Sequence, residues 1–152
     1  MRILIAEDSA AVRNRLVAEI TRIKRARIVG STGDGTLVLG MMRDLKPDLV
    51  VLDLQLSRGS GMEVIRAVRR DRMPATIMVL TNFATAYHYE LCRKLGAGYF
   101  FDKITEIDEA FAVIRELSGG GADKDDEPLV TMAGWTDWGG NEKRSERAYN
   151  ES

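Results

Sequence analysis

Short, unbroken runs of apolar residues alternate with longer amphipathic stretches through most of the chain, and this rhythm leaves little choice of fold. The runs are Ile3-Leu4-Ile5-Ala6, Ile28-Val29, Leu49-Val50-Val51-Leu52, Ile77-Met78-Val79-Leu80 and Tyr99-Phe100-Phe101. A strand with one wet face alternates apolar and polar residues. A strand covered on both faces does not, and that is the pattern of a parallel sheet between helices. Between the runs the period becomes helical. Val12, Leu16, Ile20 and Ile23 share one face, as do Val38, Met42 and Leu45. Further faces are Gly61, Ile65 and Val68, then Ala84, His88, Leu91 and Leu95, then Ile107, Phe111, Ile114 and Leu117. Ser9 is placed to cap the first helix, and Pro47 and Pro74 stand just before strands, where a helix must already have ended. Gly96 and Gly98 flank the turn into the last strand. The expectation is a run of β-α units with right-handed crossovers, an α/β sandwich in one domain over residues 1–118.

After Leu117 the pattern stops. Ser118-Gly119-Gly120-Gly121 reads as a linker, and residues 119–152 as a flexible polar tail without the helical pattern of an output domain. Those residues hold eight of the 23 acidic and four of the 22 basic side chains, so the rest of the chain is mildly basic although the net charge is −1. Neither part carries the footprint of a nucleic-acid binder. The excess lies largely in Arg13, Arg15, Arg22, Lys24, Arg25 and Arg27, read either as a solvated helix face and loop or as a docking surface for an acidic partner. A single cysteine, Cys92, excludes an internal disulfide, and with only His88 beside it a zinc site is not expected. No apolar run approaches the roughly 18 residues of a membrane span. The N-terminus meets Glu7 and Asp8 too soon for a signal-peptide core, so a cytoplasmic location is expected.

Ligands of open α/β sheets bind beyond the carboxyl ends of the strands. The first strand runs into Glu7-Asp8, the third into Asp53, the fourth into Thr81, and the fifth, after Asp102, into Lys103. If these ends are neighbours, three carboxylates share a crevice and need cations between them. A hard divalent ion such as Mg2+ suits an all-oxygen site, and Lys103 adds a further positive charge. A carboxylate, a metal site, an ammonium and a hydroxyl together suit phosphoryl chemistry. Each piece alone has a plainer reading: an acidic helix N-terminus for Glu7-Asp8, a turn residue for Asp53, a cap for the fourth helix for Thr81, an exposed loop lysine for Lys103. Their coincidence at four strand ends favours the functional reading.

The pattern resembles the receiver domain of bacterial two-component response regulators, of single-domain type. The matching pieces are Ile-Leu-Ile-Ala-Glu-Asp at 3–8, Asp-Leu-Val-Val-Leu-Asp-Leu at 48–54, Gly61 with Glu63, Leu-Thr at 80–81 and Gly-Ala-Gly-Tyr-Phe-Phe-Asp-Lys at 96–103. The resemblance implies a flavodoxin-like, doubly wound (βα)5 sandwich with strand order 2-1-3-4-5. It also implies that Asp53 accepts a phosphoryl group from a sensor or hybrid histidine kinase. Glu7, Asp8, Asp53 and the backbone carbonyl of Gln55 would then hold Mg2+, Lys103 would pair with phosphate oxygens, and Thr81 and Phe100 would form the switch. Gln55, Asn82 and Phe83 stand where the family tunes access and hydrolysis. The signal would leave through the fourth helix, fifth strand and fifth helix, to a target protein, a histidine phosphotransfer protein or a second copy of the chain. Four positions depart from the family. Glu7 replaces its commoner Asp, Ser57 and Ile104 stand where proline is usual, and Asn82 replaces a small residue.

A second reading, a phosphorylation-independent pseudo-receiver acting as an adaptor, draws on the Glu7 and Asn82 departures. A phosphatase with an aspartyl nucleophile would want an acid two residues after Asp53, where Gln55 stands. His88 is read as a helix residue at the core edge or surface, and Cys92 as packing. Trp135 and Trp138 are read either as tail aromatics or as a short anchor for a partner or second subunit.

Overall fold

The computed structural model describes residues 1–119; the expectations for residues 120–152, Trp135 and Trp138 included, lie outside the described residues. Five β-α units follow one another: β1 (Arg2–Ala6), α1 (Ala10–Thr21), β2 (Arg27–Thr32), α2 (Gly35–Leu45), β3 (Leu49–Leu52), α3 (Gly61–Arg70), β4 (Thr76–Thr81), α4 (Ala86–Lys94), β5 (Tyr99–Asp102) and α5 (Ile107–Leu117). The strands form one parallel sheet in the order β2-β1-β3-β4-β5, the flavodoxin-like arrangement that the family resemblance implies.

The unbroken apolar runs are explained by the two cores. Ile3, Ile5, Val51, Met78 and Phe101 point to one face, under Leu16 and Ile20 of α1 and Phe111 and Ile114 of α5. Leu4, Val50, Leu52, Ile77, Val79 and Phe100 point to the other, under α2, α3 and α4. Neighbours in a strand therefore serve opposite layers. β2 is an edge strand whose Ile28 and Val29 are only half buried, which accounts for its short apolar run.

Side-chain caps fix where four helices begin. Ser9, Asp34, Ser60 and Thr85 each accept a backbone N–H from the first turn of α1, α2, α3 and α4. The cap of α4 is thus Thr85, not Thr81. Three details differ from the periodicity reading. Ile23 is buried but lies beyond the end of α1. Leu117 is 36% exposed, and Ala110 and Val113 join the buried face of α5 instead. On α4 the buried residues are Tyr89 and Cys92, while His88 and Leu91 are only half buried. Among the described residues no helix is long and apolar enough to cross a membrane.

Candidate functional site

Parallel strands put all their carboxyl ends at one edge of the sheet, and backbone bonds beyond the strands extend that alignment. The β1–β3 register ends at Ala6 opposite Leu52, and the Asp53 N–H then donates to the Ala6 carbonyl at 2.8 Å. The Glu7 N–H donates to the Thr32 carbonyl at 2.9 Å, and the Lys103 N–H to the Thr81 carbonyl at 2.8 Å. Glu7, Asp53, Thr81 and Lys103 are all buried there, exposed by 1%, 5%, 0% and 8%.

Three of these side chains meet. The Lys103 Nζ lies 2.9 Å from Asp53 Oδ2 and 2.9 Å from Glu7 Oε2, with Glu7 Oε1 at 3.0 Å. Its partners are 50 and 96 residues away in the sequence, so only the fold brings them together. The second Asp53 oxygen, Oδ1, accepts the Gln55 N–H at 3.1 Å, and Glu7 Oε1 accepts the Ser9 N–H at 3.2 Å. Burial pushes the Glu7 carboxyl above its ordinary range; the Lys103 hydrogen bond pulls it back, and the Asp53 charge pushes it further up. One ammonium faces two buried carboxylates, a net negative charge in a place with little water. No buried side-chain nitrogen or oxygen among the described residues lacks a hydrogen bond.

The remaining expected residues surround this centre. Asp8 is exposed, next in the chain to Glu7, and no three acidic, histidine or cysteine side chains among the described residues gather as a ready-made metal cage. The Thr81 Oγ1 accepts the Phe83 N–H at 3.0 Å, so its hydroxyl is engaged in the loop that leads to α4. Asn82 and Phe83 are exposed beside it. Phe100 is fully buried, and its ring meets that of Tyr89 on α4 edge-to-face at 5.7 Å.

Two supports were not foreseen in the sequence. Arg13, assigned there to a basic surface cluster, donates from Nη1 to the Glu7 carbonyl at 2.7 Å and so fixes the β1–α1 loop. The Ser57 N–H and Oγ both bind the Gly33 carbonyl, at 2.9 and 2.8 Å, and Arg58 pairs with Asp34, which ties the loop after Asp53 to the loop before α2. Asp34 is held below the ordinary carboxylate range, first by the Thr36 hydroxyl and N–H and then by Arg58. Ser57 and Ile104, where proline is usual in the resembled family, both use an N–H that proline lacks; that of Ile104 binds Asp102 Oδ1 at 2.8 Å.

The family model for the response regulator receiver domain matches residues 3–115. The chain belongs to the response-regulator receiver family. Among curated relatives, this receiver is 35% identical over 124 residues to the transcriptional regulatory protein PdtaR of Mycobacterium tuberculosis, covering 77% of this chain and 60% of that protein. It is 32% identical over 81 residues to a protein-glutamate methylesterase/protein-glutamine glutaminase of Caulobacter vibrioides, covering 53% of this chain and 24% of that protein. The chain thus spans about three-fifths or less of the length of these relatives. In fold it matches the signal receiver domain of the response regulator NarL from Mycobacterium tuberculosis, with a TM-score of 0.71 at 21% identity, covering 79% of this chain and 97% of that one. The response regulator domain of Thermotoga maritima CheB gives 0.69 at 22%, covering 80% and 98%. A receiver is a phospho-accepting signalling domain, broadly non-enzymatic, and membership places this chain in two-component phosphorelay signalling.

Proposed function

We propose that residues 1–118 form a Mg2+-dependent switch in which Asp53 takes a phosphoryl group from the phosphohistidine of a sensor or hybrid kinase. The observation that carries this reading is the Lys103 ammonium held between Glu7 and Asp53 at the carboxyl edge of the sheet. An Asp53 oxygen attacks phosphorus as the bond from phosphorus to the imidazole nitrogen breaks. The leaving electron pair stays on the ring, and an acyl phosphate forms on Asp53. Lys103 is already in contact with Asp53 Oδ2 and follows the negative charge onto the phosphoryl oxygens. Thr81, whose Oγ1 accepts the Phe83 N–H, donates its hydroxyl hydrogen to a phosphoryl oxygen, which draws on the β4–α4 loop. Phe100, packed on Tyr89, links that loop's movement to β5 and α4.

The donors suit Mg2+. It usually binds through one or two carboxylates while keeping several waters, so a three-carboxylate cage is not required. Glu7 and Asp53 supply two buried carboxylates carrying more charge than Lys103 offsets, with Asp8 and the Gln55 carbonyl as further oxygens nearby in the chain. The ion would supply neutralisation of the phosphoryl oxygens. The face of α4, β5 and α5 would carry the signal to a target protein, a phosphotransfer protein or a second copy, in the cytoplasm.

Labelling with acetyl phosphate tests the proposal. Wild-type protein with Mg2+ is expected to gain one acid-stable, base-labile phosphoryl group, with no gain when a chelator is present from the start or in Asp53→Asn. Equal labelling of Asp53→Asn would move the acceptor elsewhere. No labelling of either, by acetyl phosphate or by kinases, would leave the adaptor reading in its place.

A further inference from the structure

The carboxyl edge of the sheet accounts for the chemistry; the opposite edge holds an apolar groove of about 430 Å³. Its floor and walls come from the segments that lead into β3 and β4. Met42 of α2 and Pro47 form one side, and Met73, Pro74 and Ala75 the other. The size lies within the range of ordinary ligand pockets. Arg43, Lys46 and Asp48 stand at the rim; Arg43 is paired with Asp71 at 3.1 Å, and among the described residues Lys46 makes no ion pair. Another cavity, of about 400 Å³, is lined by Glu19, Arg22, Lys24 and Arg115 and is too charged for an apolar occupant.

The chain leaves the described structure at the same edge. Helices run antiparallel to the strands they follow, so the end of α5 lies with the starts of the strands. A side chain at Gly119 would sit 3.5 Å from the Arg25 guanidinium. The Arg25 carbonyl in turn accepts the amino terminus of Met1, and the next residue, Arg2, donates its N–H to Asp48 at the groove. From Gly119 to Trp135 the chain can reach about 50 Å, at roughly 3.3 Å per residue, which exceeds the width of a domain this size.

We propose that this groove seats the chain's own segment Trp135-Thr136-Asp137-Trp138. Three features match. The indoles are the large apolar groups the groove lacks, and the half-buried Met73 thioether, with Met42 buried at the groove's floor, favours an aromatic neighbour. Asp137, between the indoles, meets Lys46, the rim cation that no carboxylate among the described residues answers. Tethering supplies an effective concentration in the millimolar range, so a contact too weak to hold a separate peptide still forms within one chain. Seated there, the segment covers apolar surface at the pole away from Asp53 and leaves the carboxyl edge open to a kinase.

Intrinsic fluorescence of the full chain gives a direct test, because both tryptophans lie in the segment and residues 1–119 contain none. Emission is expected to be blue-shifted, and acrylamide quenching weaker, than in a free peptide of residues 129–142. Both effects should persist on dilution and vanish in Ala75→Glu with the far-ultraviolet dichroism unchanged. Independently of that variant, the methyl resonances of Met42 and Met73 should move in a Trp135→Ala, Trp138→Ala double variant, while Met62, which packs against Cys92, stays in place. Emission equal to the peptide's, or unmoved Met42 and Met73 methyls, overturns the proposal. A shift that survives Ala75→Glu seats the indoles elsewhere, and one lost on dilution gives the groove to a second copy; either outcome overturns it as well.

Discussion

Among the described residues Lys103 is the one cation paired with the Glu7 and Asp53 carboxylates, so the two sides of this cluster respond to mutation in opposite ways. Lys103→Met leaves two adjacent buried carboxylates without a counter-charge and is expected to cost about 3–5 kcal/mol in urea unfolding. Asp53→Asn keeps an oxygen for the Gln55 N–H and removes the like-charge repulsion, so its urea midpoint is expected to rise. A lower midpoint for Asp53→Asn would mean that the carboxylate pair is not in excess of its cation. Cys92 gives a second, independent check on the core. Burial pushes its thiol up to about 12, so native protein at neutral pH is expected to resist alkylation that goes to completion in urea. The sign for stability follows: the unfolded thiol ionises first as pH rises past about 8.5, so this residue lowers stability in alkali and has no effect in acid. Residues that end a buried apolar run, Glu7, Asp53 and Thr81, were legible in the sequence because a polar group there breaks an otherwise uniform pattern. Arg13 was not. Its partner is the Glu7 main-chain carbonyl, and a carbonyl leaves no trace in residue type.

The loop after β3 is held by its contact with α3, and Gly61 is where that contact is closest. A Cβ built at Gly61 would lie 2.3 Å from the Asp53 carbonyl oxygen and 2.8 Å from the Leu54 Cα, both backbone atoms that cannot swing away. Gly61→Ala must therefore displace either the start of α3 or the end of β3, at an expected cost of about 1–3 kcal/mol, together with slower labelling of Asp53. Ser60→Ala, one residue earlier, removes only the cap that accepts the Glu63 N–H and is expected to cost about 1 kcal/mol with labelling unchanged. Urea unfolding and a labelling time course on both variants separate positioning from simple helix stability. The strands were readable because burial on both faces writes itself into consecutive residues. The helices were readable in number, but the faces read for α1 and α4 ran past their ends, and α4 was read partly out of phase. Of Ala84, His88, Leu91 and Leu95, Ala84 is buried just before the helix and Leu95 packs on the core just after it, yet the helix itself buries Tyr89 and Cys92. The Tyr89 ring packs against Phe100, and that aromatic contact outweighs a half-buried leucine. Period alone cannot see it, because a tyrosine's hydroxyl hides how much apolar surface its ring buries.

One parallel sheet gives the molecule two unlike ends, with Glu7, Asp53 and Lys103 at one and Met1 and Gly119 at the other. The charged end is assembled from positions 50 and 96 residues apart, so the unfolded chain has no equivalent of it. An ion that binds there binds the native state alone and must raise global stability by mass action. The proposed Mg2+ site therefore predicts an upward shift of the urea midpoint, worth about 1.4 kcal/mol when free Mg2+ is tenfold above its dissociation constant. Sodium chloride at matched ionic strength serves as the control, because screening alone acts on surface charges far from the site. The shift should be much smaller in Asp53→Asn, which gives up one of the two buried carboxylates. In Lys103→Met it should exceed the wild-type shift. There the divalent ion answers charges that nothing else offsets, so the binding that relieves the cluster also restores part of the stability that the substitution removed. Equal shifts in all three proteins would place the ion outside the Glu7–Asp53 cluster.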